Sequence, residues 1–416
     1  MATVTASLPA LVPDVAPEQL GFSSERLARL DRYLDQYVAA GRHKGSLIAI
    51  SRDGKLAHVS MRGDRDAEAG LHVESDTLWR MYSMTKPITS VATMMLYEEG
   101  KLLLIDPVAK FLPAFERARV YRGGPAAAMV STPASEPMLI WHLLSHTSGL
   151  TYEFFFNNPV DETYRRVFEW GKPTTYTLAE ACERWASIPL LFEPGTSWNY
   201  SVATDVVGRV VEVISGQPLD EFFRDRILRP LRMHETGFSI PPSDARRLAR
   251  LYAVSPETRQ LVTTSASDWD RTELPSFLSG GSGLIGSASD YVRFTTMLLQ
   301  RGELDGVRLL SPHTVDLMRV NHLPGGAQVG PPFGRGLGMP GDAGRGFGLG
   351  FGVVVDPVAA KSLAAAGEYS WSGAAGTTFW VDPLNEISVV FCTQVLFARD
   401  ELGYTLRRLV NQALID

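Results

Sequence analysis

Cysteines and long apolar runs are scarce in this sequence of 416 residues. Its two cysteines, Cys182 and Cys392, lie far apart in apolar surroundings, which favours two buried thiols over a disulfide. No apolar run is long enough to span a bilayer. The first 19 residues contain no basic residue, and Pro9 and Pro13 interrupt their apolar patches, which does not fit a signal peptide or an anchor. We therefore expect a cytoplasmic protein with no membrane partner.

Basic residues are slightly fewer than acidic ones: the sequence has 40 lysines and arginines and 46 aspartates and glutamates. Nucleic-acid binding needs a basic face, so nucleic acid is not an expected partner. The histidines show no metal-ligand spacing, and no phosphate-binding or dinucleotide glycine motif follows a predicted strand. We expect neither a metal nor a cofactor. The run Gly280-Gly281-Ser282-Gly283 is interpreted as a loop at a sheet edge.

The order of predicted elements indicates an α+β fold. Residues 17–105 and 280–416 are expected to form an antiparallel sheet flanked by helices, and residues 106–279, which lack strong strand patterns, a mostly helical inserted domain. Asp53-Gly54 predicts a hairpin between strands 45–51 and 56–61. The predicted helices are 23–40, 83–99, 138–145, 178–187, 204–215, 219–227, 291–301, 312–320 and 400–415, and the later strands are 347–355, 368–372, 377–381 and 387–393.

One short stretch, Arg80-Met81-Tyr82-Ser83-Met84-Thr85-Lys86-Pro87-Ile88, pairs a serine with a lysine three residues later. The sequence has seven lysines, and only Lys86 has a serine at this spacing. If a helix starts at Ser83, both side chains lie on one face, and Pro87 fits the first turn. An uncharged Lys86 can then accept the serine proton and activate the hydroxyl oxygen. A helix that carries both residues by chance is the alternative.

Two further stretches can complete such a site. Tyr200, in the turn-rich segment 193–202, can act as general base and later as general acid, or it is an interface tyrosine with a bonded hydroxyl. Segment 368–376 is interpreted as an edge strand leading into small residues, where the N–H groups of Ser83 and Ala374 can hold an oxyanion. The alternative is a turn that needs glycines.

In this order, the motifs resemble the serine β-lactamase and penicillin-binding-protein superfamily, from about Leu20 to the end of the chain. The closer match is its esterase branch, the family VIII carboxylesterases and related acyltransferases that resemble class C β-lactamases. The stretches that carry the resemblance are Ser83-Met84-Thr85-Lys86, Asp106-Pro107, Leu144-Ser145-His146-Thr147-Ser148-Gly149-Leu150, Pro194-Gly195 with Tyr200-Ser201, and Trp371-Ser372-Gly373.

Two departures from class C β-lactamases point to the esterase branch. Val202 stands where those enzymes carry an asparagine, and Trp371 stands where they carry a lysine. The asparagine and the lysine contact the amide and the carboxylate of a β-lactam, and without the lysine an anionic antibiotic loses a charge-assisted hydrogen bond. Trp371 would add an apolar wall instead. The resemblance therefore implies an esterase, with weak β-lactam hydrolysis as a side activity.

The resemblance implies a serine carboxylesterase that hydrolyses small esters with short acyl chains through an acyl-enzyme on Ser83. Lys86 and Tyr200 complete the catalytic set, and the implied oxyanion and substrate contacts are Ala374, Trp371, Gly373, Ser372, Tyr152 and Phe154. The alternatives are a β-lactamase or D-amino-acid peptidase, an acyltransferase of the same superfamily, and a scaffold without catalysis. A small-molecule ester is the only expected partner.

Four other features of the sequence bear on the site. A Gly-x-Ser-x-Gly elbow is absent, so an α/β-hydrolase is excluded. His146 is predicted to be structural, with its ring nitrogens bonded to backbone. The aromatic run 152–156 is either core or the lining of an acyl pocket, and the glycine- and proline-rich segment 323–346 is either a lid or a surface excursion.

Overall fold

The computed structural model describes residues 11–168, 174–264, 271–331, 333–334, 342–398 and 401–416. Its central element is an eight-stranded antiparallel sheet to which both ends of the chain contribute. With strands and helices numbered along the chain, the strands in spatial order are β12 (Arg345–Phe347), β13 (Gly352–Val354), β14 (Tyr369–Ser372), β15 (Thr378–Asp382), β16 (Ile387–Cys392), β1 (Gly45–Arg52), β2 (Lys55–Asp66) and β3 (Leu71–His72).

Helices cover both faces of the sheet. Successive residues of a strand point to opposite faces, so Leu47 and Ala49 of β1 enter the larger core while Ile48 and Ile50 enter a second one. The larger core contains α8 (Ala288–Leu299), and the second contains α1 (Ser24–Ala39) and α10 (Leu402–Asn411). The remaining helices are α2 (Thr85–Glu98), α3 (Ile140–Leu144), α4 (Pro159–Val167), α5 (Leu178–Ala186), α6 (Ala203–Ser215), α7 (Leu219–Phe223) and α9 (Pro312–Met318).

Short strand pairs connect the sheet to the helical part. β4 (Leu78–Arg80), just before α2, pairs with β9 (Ile285–Ser287), just before α8. The other short strands are β5 (Arg119–Gly123) with β6 (Val130–Pro133), β7 (Tyr252–Val254) with β8 (Leu261–Thr263) and β17 (Val395–Leu396), and β10 (Glu303–Leu304) with β11 (Val307–Arg308). None of the helices in the described ranges is long and apolar enough to cross a bilayer.

The predicted fold class is confirmed, and the 53–54 hairpin forms with Arg52 paired to Lys55. Several details were wrong or incomplete. Segment 368–372 is not an edge strand, because β12 and β13 extend the sheet beyond it. Segment 347–355 is not one strand, because Gly350, at φ 101°, turns the chain between β12 and β13. Helix 219–227 ends as a π-helical turn, Arg224–Leu228. Segment 106–279 carries the short strands β5 to β8, and its limits as a domain stay a prediction.

Candidate active site

Ser83 lies in a short 3-10 helix, Tyr82–Met84, between β4 and α2. The α-helix begins two residues later than predicted, at Thr85. Tyr82 has a φ of 45°, a conformation that bulky side chains adopt only where the surroundings hold them. Two contacts of Met81 supply this support: its N–H donates to the Leu284 carbonyl at 2.9 Å, and its carbonyl accepts from Thr377 Oγ1 at 3.2 Å. The turn that presents Ser83 is therefore fixed by two neighbouring segments.

The structure brings the three predicted catalytic residues together. Lys86 Nζ donates a hydrogen bond to Ser83 Oγ at 3.1 Å, and Tyr200 Oη is hydrogen-bonded to the same oxygen at 2.6 Å. Lys86 is 1% exposed and Tyr200 is 9% exposed. The lysine comes from the first turn of α2, and the tyrosine precedes α6. Both groups that could take the serine proton thus contact its oxygen.

Lys86 has two more partners that sequence reasoning missed. Its Nζ donates to Tyr152 Oη at 2.9 Å and to the Gly281 carbonyl at 2.8 Å. It also lies 4.7 Å from the centre of the Tyr200 ring, within range of a cation–π contact. These neutral acceptors match the three N–H groups of an ammonium, and no ion pair within the described residues involves Lys86. Loss of a proton from Nζ therefore breaks no salt bridge.

Tyr152 was predicted only as a pocket residue. Burial raises the pKa of its phenol well above the usual range, and the neighbouring Tyr200 raises this pKa further. Tyr152 therefore stays protonated at neutral pH, accepts from Lys86 and keeps its own proton as a donor. Its ring is 5.2 Å from that of Tyr200. The aromatic run 152–156 gave a signal for an apolar lining, but nothing local to Tyr152 indicated contact with the lysine.

Asp205, on α6, holds the loop whose Gly281 carbonyl accepts from Lys86. Its carboxylate is 4% exposed, and it accepts hydrogen bonds from the Gly281 N–H at 3.0 Å and from Ser279 Oγ. Burial raises the pKa of Asp205, while the charge of Lys86 opposes this shift. A Cβ on Gly281 would overlap the Asp205 carboxylate. The glycine run that was interpreted as a sheet-edge loop is therefore part of the site, since it delivers the Gly281 carbonyl to Lys86.

β14 and the turn after it form the opposite wall. Trp371 Nε1 donates to Tyr200 Oη at 3.3 Å. A Cβ on Gly373 would overlap the Met81 carbonyl, so this glycine lets the turn approach the segment that carries Ser83. The Ala374 carbonyl accepts from the Phe397 N–H at 2.7 Å, whereas the N–H groups of Ala374 and Ser83 have no acceptor among the described residues. Ser372 Oγ bonds to Thr378 Oγ1 at 2.9 Å.

His146 packs behind Tyr200 and does not contact Ser83. Its Nδ1 is hydrogen-bonded to Ser201 Oγ at 3.2 Å, so the prediction that backbone groups hold the ring was wrong. The ring centre lies 4.9 Å from that of Tyr200. Burial lowers the pKa of His146 well below its usual range, so the imidazole is neutral. These contacts fit the predicted structural role.

Ser83 opens into a cavity of about 1110 Å³, at the upper end of the range for small-molecule sites. Phe154 stacks on Tyr152 with ring centres 4.6 Å apart and lies 5.8 Å from Phe397. Of the predicted site residues, all but Lys86 line the cavity: Ser83, Tyr152, Phe154, Tyr200, Trp371, Ser372, Gly373 and Ala374. Residues 332 and 335–341 of the predicted lid lie outside the described residues, so the lid stays a prediction.

The chain is similar to known proteins over most of its length. The family model described as beta-lactamase matches residues 30–412. Protein Rv1367c of Mycobacterium tuberculosis is 37% identical over 85% of this chain and 86% of that protein. Esterase EstB of Burkholderia gladioli is 32% identical over 89% of this chain and 91% of that protein.

A solved structure also resembles this chain over most of its length. EstCE1, described as a hydrolase with promiscuous acyltransferase activity, superimposes with a TM-score of 0.76 at 29% identity and covers 93% of this chain and 98% of its own. The chain has the fold of a serine hydrolase. It belongs to the β-lactamase family, and the resemblance predicted from its motifs is confirmed.

Proposed function

We propose that the protein is a carboxylesterase of the family VIII type, which hydrolyses small esters with short acyl chains through an acyl-enzyme on Ser83. The observation that carries this proposal is the double contact of Ser83 Oγ, with Lys86 Nζ at 3.1 Å and with Tyr200 Oη at 2.6 Å. Similarity to an esterase and to a hydrolase with acyltransferase activity supports the same reaction class.

Acylation begins with proton transfer from Ser83. Lys86 and Tyr200 share the role of general base, and Ser83 Oγ attacks the ester carbonyl as its proton leaves. The N–H groups of Ser83 and Ala374 hold the oxyanion; loss of one such donor costs about 3 kcal/mol of transition-state stabilisation in hydrolases. Tyr200 then protonates the alcohol oxygen as the carbon–oxygen bond of the ester breaks. Tyr152, which stays protonated, contacts Lys86 throughout.

Deacylation repeats these steps with a second nucleophile. Water loses a proton to the same base, attacks the acyl carbonyl and frees the carboxylic acid, and Ser83 regains its proton. An alcohol in place of water gives acyl transfer. We favour hydrolysis as the main reaction, because the chain is 32% identical to Esterase EstB of Burkholderia gladioli over 89% of its length.

The proposed preference for short acyl chains rests on the aromatic wall of Tyr152, Phe154 and Phe397. Phe154 stacks on the tyrosine that contacts Lys86, and Lys86 contacts Ser83, so these rings lie close to the nucleophile. An acyl chain on this side meets the wall within a few carbons. para-Nitrophenyl esters from acetate to dodecanoate should therefore show falling kcat/KM with length, and Phe154→Ala should move the optimum to longer chains.

A β-lactamase or D-amino-acid peptidase is the alternative activity. The indole of Trp371 fills the place of the lysine that would hold the carboxylate of a β-lactam, and it is hydrogen-bonded to Tyr200. This disfavours anionic antibiotics at that position. Comparing para-nitrophenyl acetate with a chromogenic cephalosporin separates the two activities, because a carboxylesterase should have the higher kcat/KM for the acetate.

The decisive test is covalent labelling. A fluorophosphonate probe should label the native protein and fail to label Ser83→Ala, and Lys86→Ala and Tyr200→Phe should each lower kcat by orders of magnitude. Ser90→Ala is the matched control, since Ser90 lies on the same helix and is buried away from the cavity. Labelling of the Ser83→Ala variant, or loss of labelling in the control, would contradict the proposal. An unlabelled native protein would support the scaffold alternative.

The cytoplasm is the compartment we propose. Cys182 and Cys392 are both buried free thiols, and reduced cysteines are typical of that compartment.

A further inference from the structure

Arg271 is a cation of the active-site cavity that forms no ion pair with any residue the structure describes. Its side chain lines the same cavity as Ser83. Within the described residues, its Nε is buried without a hydrogen-bond acceptor, and the guanidinium takes part in no ion pair. The main chain is held, because the Arg271 carbonyl accepts from the Ile240 N–H at 2.8 Å. Arg271 is half-buried, and a buried guanidinium nitrogen normally has a hydrogen-bond acceptor, so the unpaired Nε of Arg271 needs an explanation.

The neighbours of Arg271 indicate that it lies on the same side of the cavity as Ser83. The phenol of Tyr82 interacts electrostatically with Arg271, and Tyr82 directly precedes Ser83. Burial lowers the pKa of the Arg271 guanidinium, and Tyr82 is the group that opposes this shift. A free arginine has a pKa far above neutral pH, so the group stays charged. Its charge is therefore available to a molecule that enters beside Ser83.

Three other arginines on the cavity have other charged or aromatic neighbours. Arg407 is paired with the buried Glu368 at 2.8 Å, and Arg42 lies over the Tyr37 ring at 5.5 Å. Arg345, whose Nε is also buried without an acceptor, lies 5.9 Å from the centre of the Tyr404 ring and interacts with the charges of Glu368 and Asp342. Lys86 does not line the cavity and already has three acceptors. Arg271, which interacts with the residue directly before Ser83, is therefore the cation that we assign to an anion near the nucleophile.

We propose that Arg271 forms an anion subsite, and that the preferred substrates are esters with a carboxylate on their acyl or alcohol part. This inference rests on the proposed esterase function and names its substrate class. A guanidinium presents two parallel N–H groups that match both oxygens of a carboxylate. The carboxylate would supply the missing counter-charge while the ester carbonyl reaches Ser83.

Two pairs of esters test the subsite and show which part of the ester carries the anion. In the acyl pair, the mono-para-nitrophenyl ester of adipate is compared with para-nitrophenyl hexanoate, after subtraction of spontaneous hydrolysis. In the alcohol pair, para-acetoxybenzoate is compared with para-acetoxybenzamide. The native enzyme should prefer the anionic member of at least one pair in kcat/KM. Equal or lower values for the anionic member in both pairs would overturn the proposal.

Variants then assign the preference to one side chain. Arg271→Met should reduce the ratio of anionic to neutral kcat/KM by about tenfold or more, mainly through KM, as expected for loss of a charge-assisted hydrogen bond. Arg271→Lys should retain part of the preference, because it keeps the charge but not the planar fork. Arg42→Met is the matched control, since it removes another cation of the same cavity. An equal reduction in Arg42→Met would overturn the assignment.

A binding measurement separates this proposal from the esterase proposal. In calorimetry, the native protein should bind para-hydroxybenzoate or adipate more tightly than para-hydroxybenzamide, and Arg271→Met should lose the difference. This result would support the subsite even if no ester were hydrolysed. Equal affinity of native protein and Arg271→Met for both carboxylates would reject the subsite, even with active hydrolysis of neutral esters.

Discussion

Trp371 donates its indole N–H to the hydroxyl oxygen of Tyr200 at 3.3 Å, and the two rings lie 5.2 Å apart. Trp371 is therefore more than an apolar wall. In the mechanism we propose, Tyr200 gives up its proton, and the indole would then donate to a phenolate; hydrogen bonds to charged groups are stronger than neutral ones.

Replacing Trp371 by phenylalanine tests this relationship. Trp371→Phe keeps an aromatic wall but removes the donor, so kcat should fall by about tenfold, the value of a single hydrogen bond of about 1.4 kcal/mol. Steady-state kinetics on para-nitrophenyl acetate gives the comparison, with KM expected to change little. An unchanged kcat would show that the indole acts only through its surface.

The buried carboxylate of Asp205 should hold the Gly281 segment in the position where its carbonyl accepts from Lys86. Asp205→Asn weakens the hydrogen bond from the Gly281 N–H, because a neutral amide oxygen is a poorer acceptor than a carboxylate. We expect kcat on para-nitrophenyl acetate to fall by about tenfold or more, because Lys86 would no longer be held against Ser83 Oγ.

Asp290→Asn is the matched control. Asp290 is also buried, and it accepts from the Glu235 N–H and Thr236 Oγ1, both at 2.8 Å. It has no contact with Gly281 or Lys86, so its variant should leave kcat unchanged. An equal loss of kcat in both variants would mean that loss of any buried carboxylate is enough, and the specific role of Asp205 would be wrong.

The parts predicted from sequence are those that local patterns specify. The 53–54 hairpin follows from its turn residues, and Ser83 with Lys86 from spacing within one turn. Tyr200 and Trp371 required the resemblance, because neither has a local pattern of its own. The contacts of Lys86 with Tyr152 and Gly281 span 66 and 195 positions, and no periodicity encodes such distances.

The errors at the sheet edge have a similar physical cause. β12 and β13 lie in a glycine-rich segment, and glycine weakens the strand pattern that a sequence analysis depends on. These strands form because β14 offers them an edge with which to pair, as Val353 does with Tyr369. Tertiary pairing therefore overrides local preference, and β14 becomes an interior strand.

Gly373 should be intolerant of any side chain. A Cβ there would overlap the Met81 carbonyl, which belongs to the turn that presents Ser83. Gly373→Ala should therefore lower kcat by about a hundredfold, since small displacements of a nucleophile are costly, while the protein still folds. Gly403→Ala is the control, because a Cβ at Gly403 meets nothing within 4 Å. Normal turnover of para-nitrophenyl acetate by Gly373→Ala would show that the turn at Gly373 does not pack tightly against Met81.

The last prediction concerns stability at low pH. Burial lowers the pKa of both His43 and His142 to about 4, whereas an unfolded histidine has a pKa of about 6.5. Between these values the unfolded chain binds more protons than the folded one, so each histidine lowers the free energy of unfolding as the pH falls. Neither ring nitrogen of His43 has a hydrogen-bond partner among the described residues, so replacing it by leucine leaves no polar group unpaired.

Urea unfolding of the native protein and His43→Leu at pH 7 and pH 5 measures this effect. The difference in free energy of unfolding between the two should move by about 2 kcal/mol in favour of the variant at pH 5.

Asp290→Asn should show the opposite trend, because burial raises the pKa of Asp290 to about 7. A folded-state pKa above the unfolded value gives stability at low pH that is lost as the pH rises, so this variant should gain on the native protein between pH 5 and pH 7. If His43→Leu and the native protein differed by the same amount at both pH values, the imidazole would not be held neutral by burial.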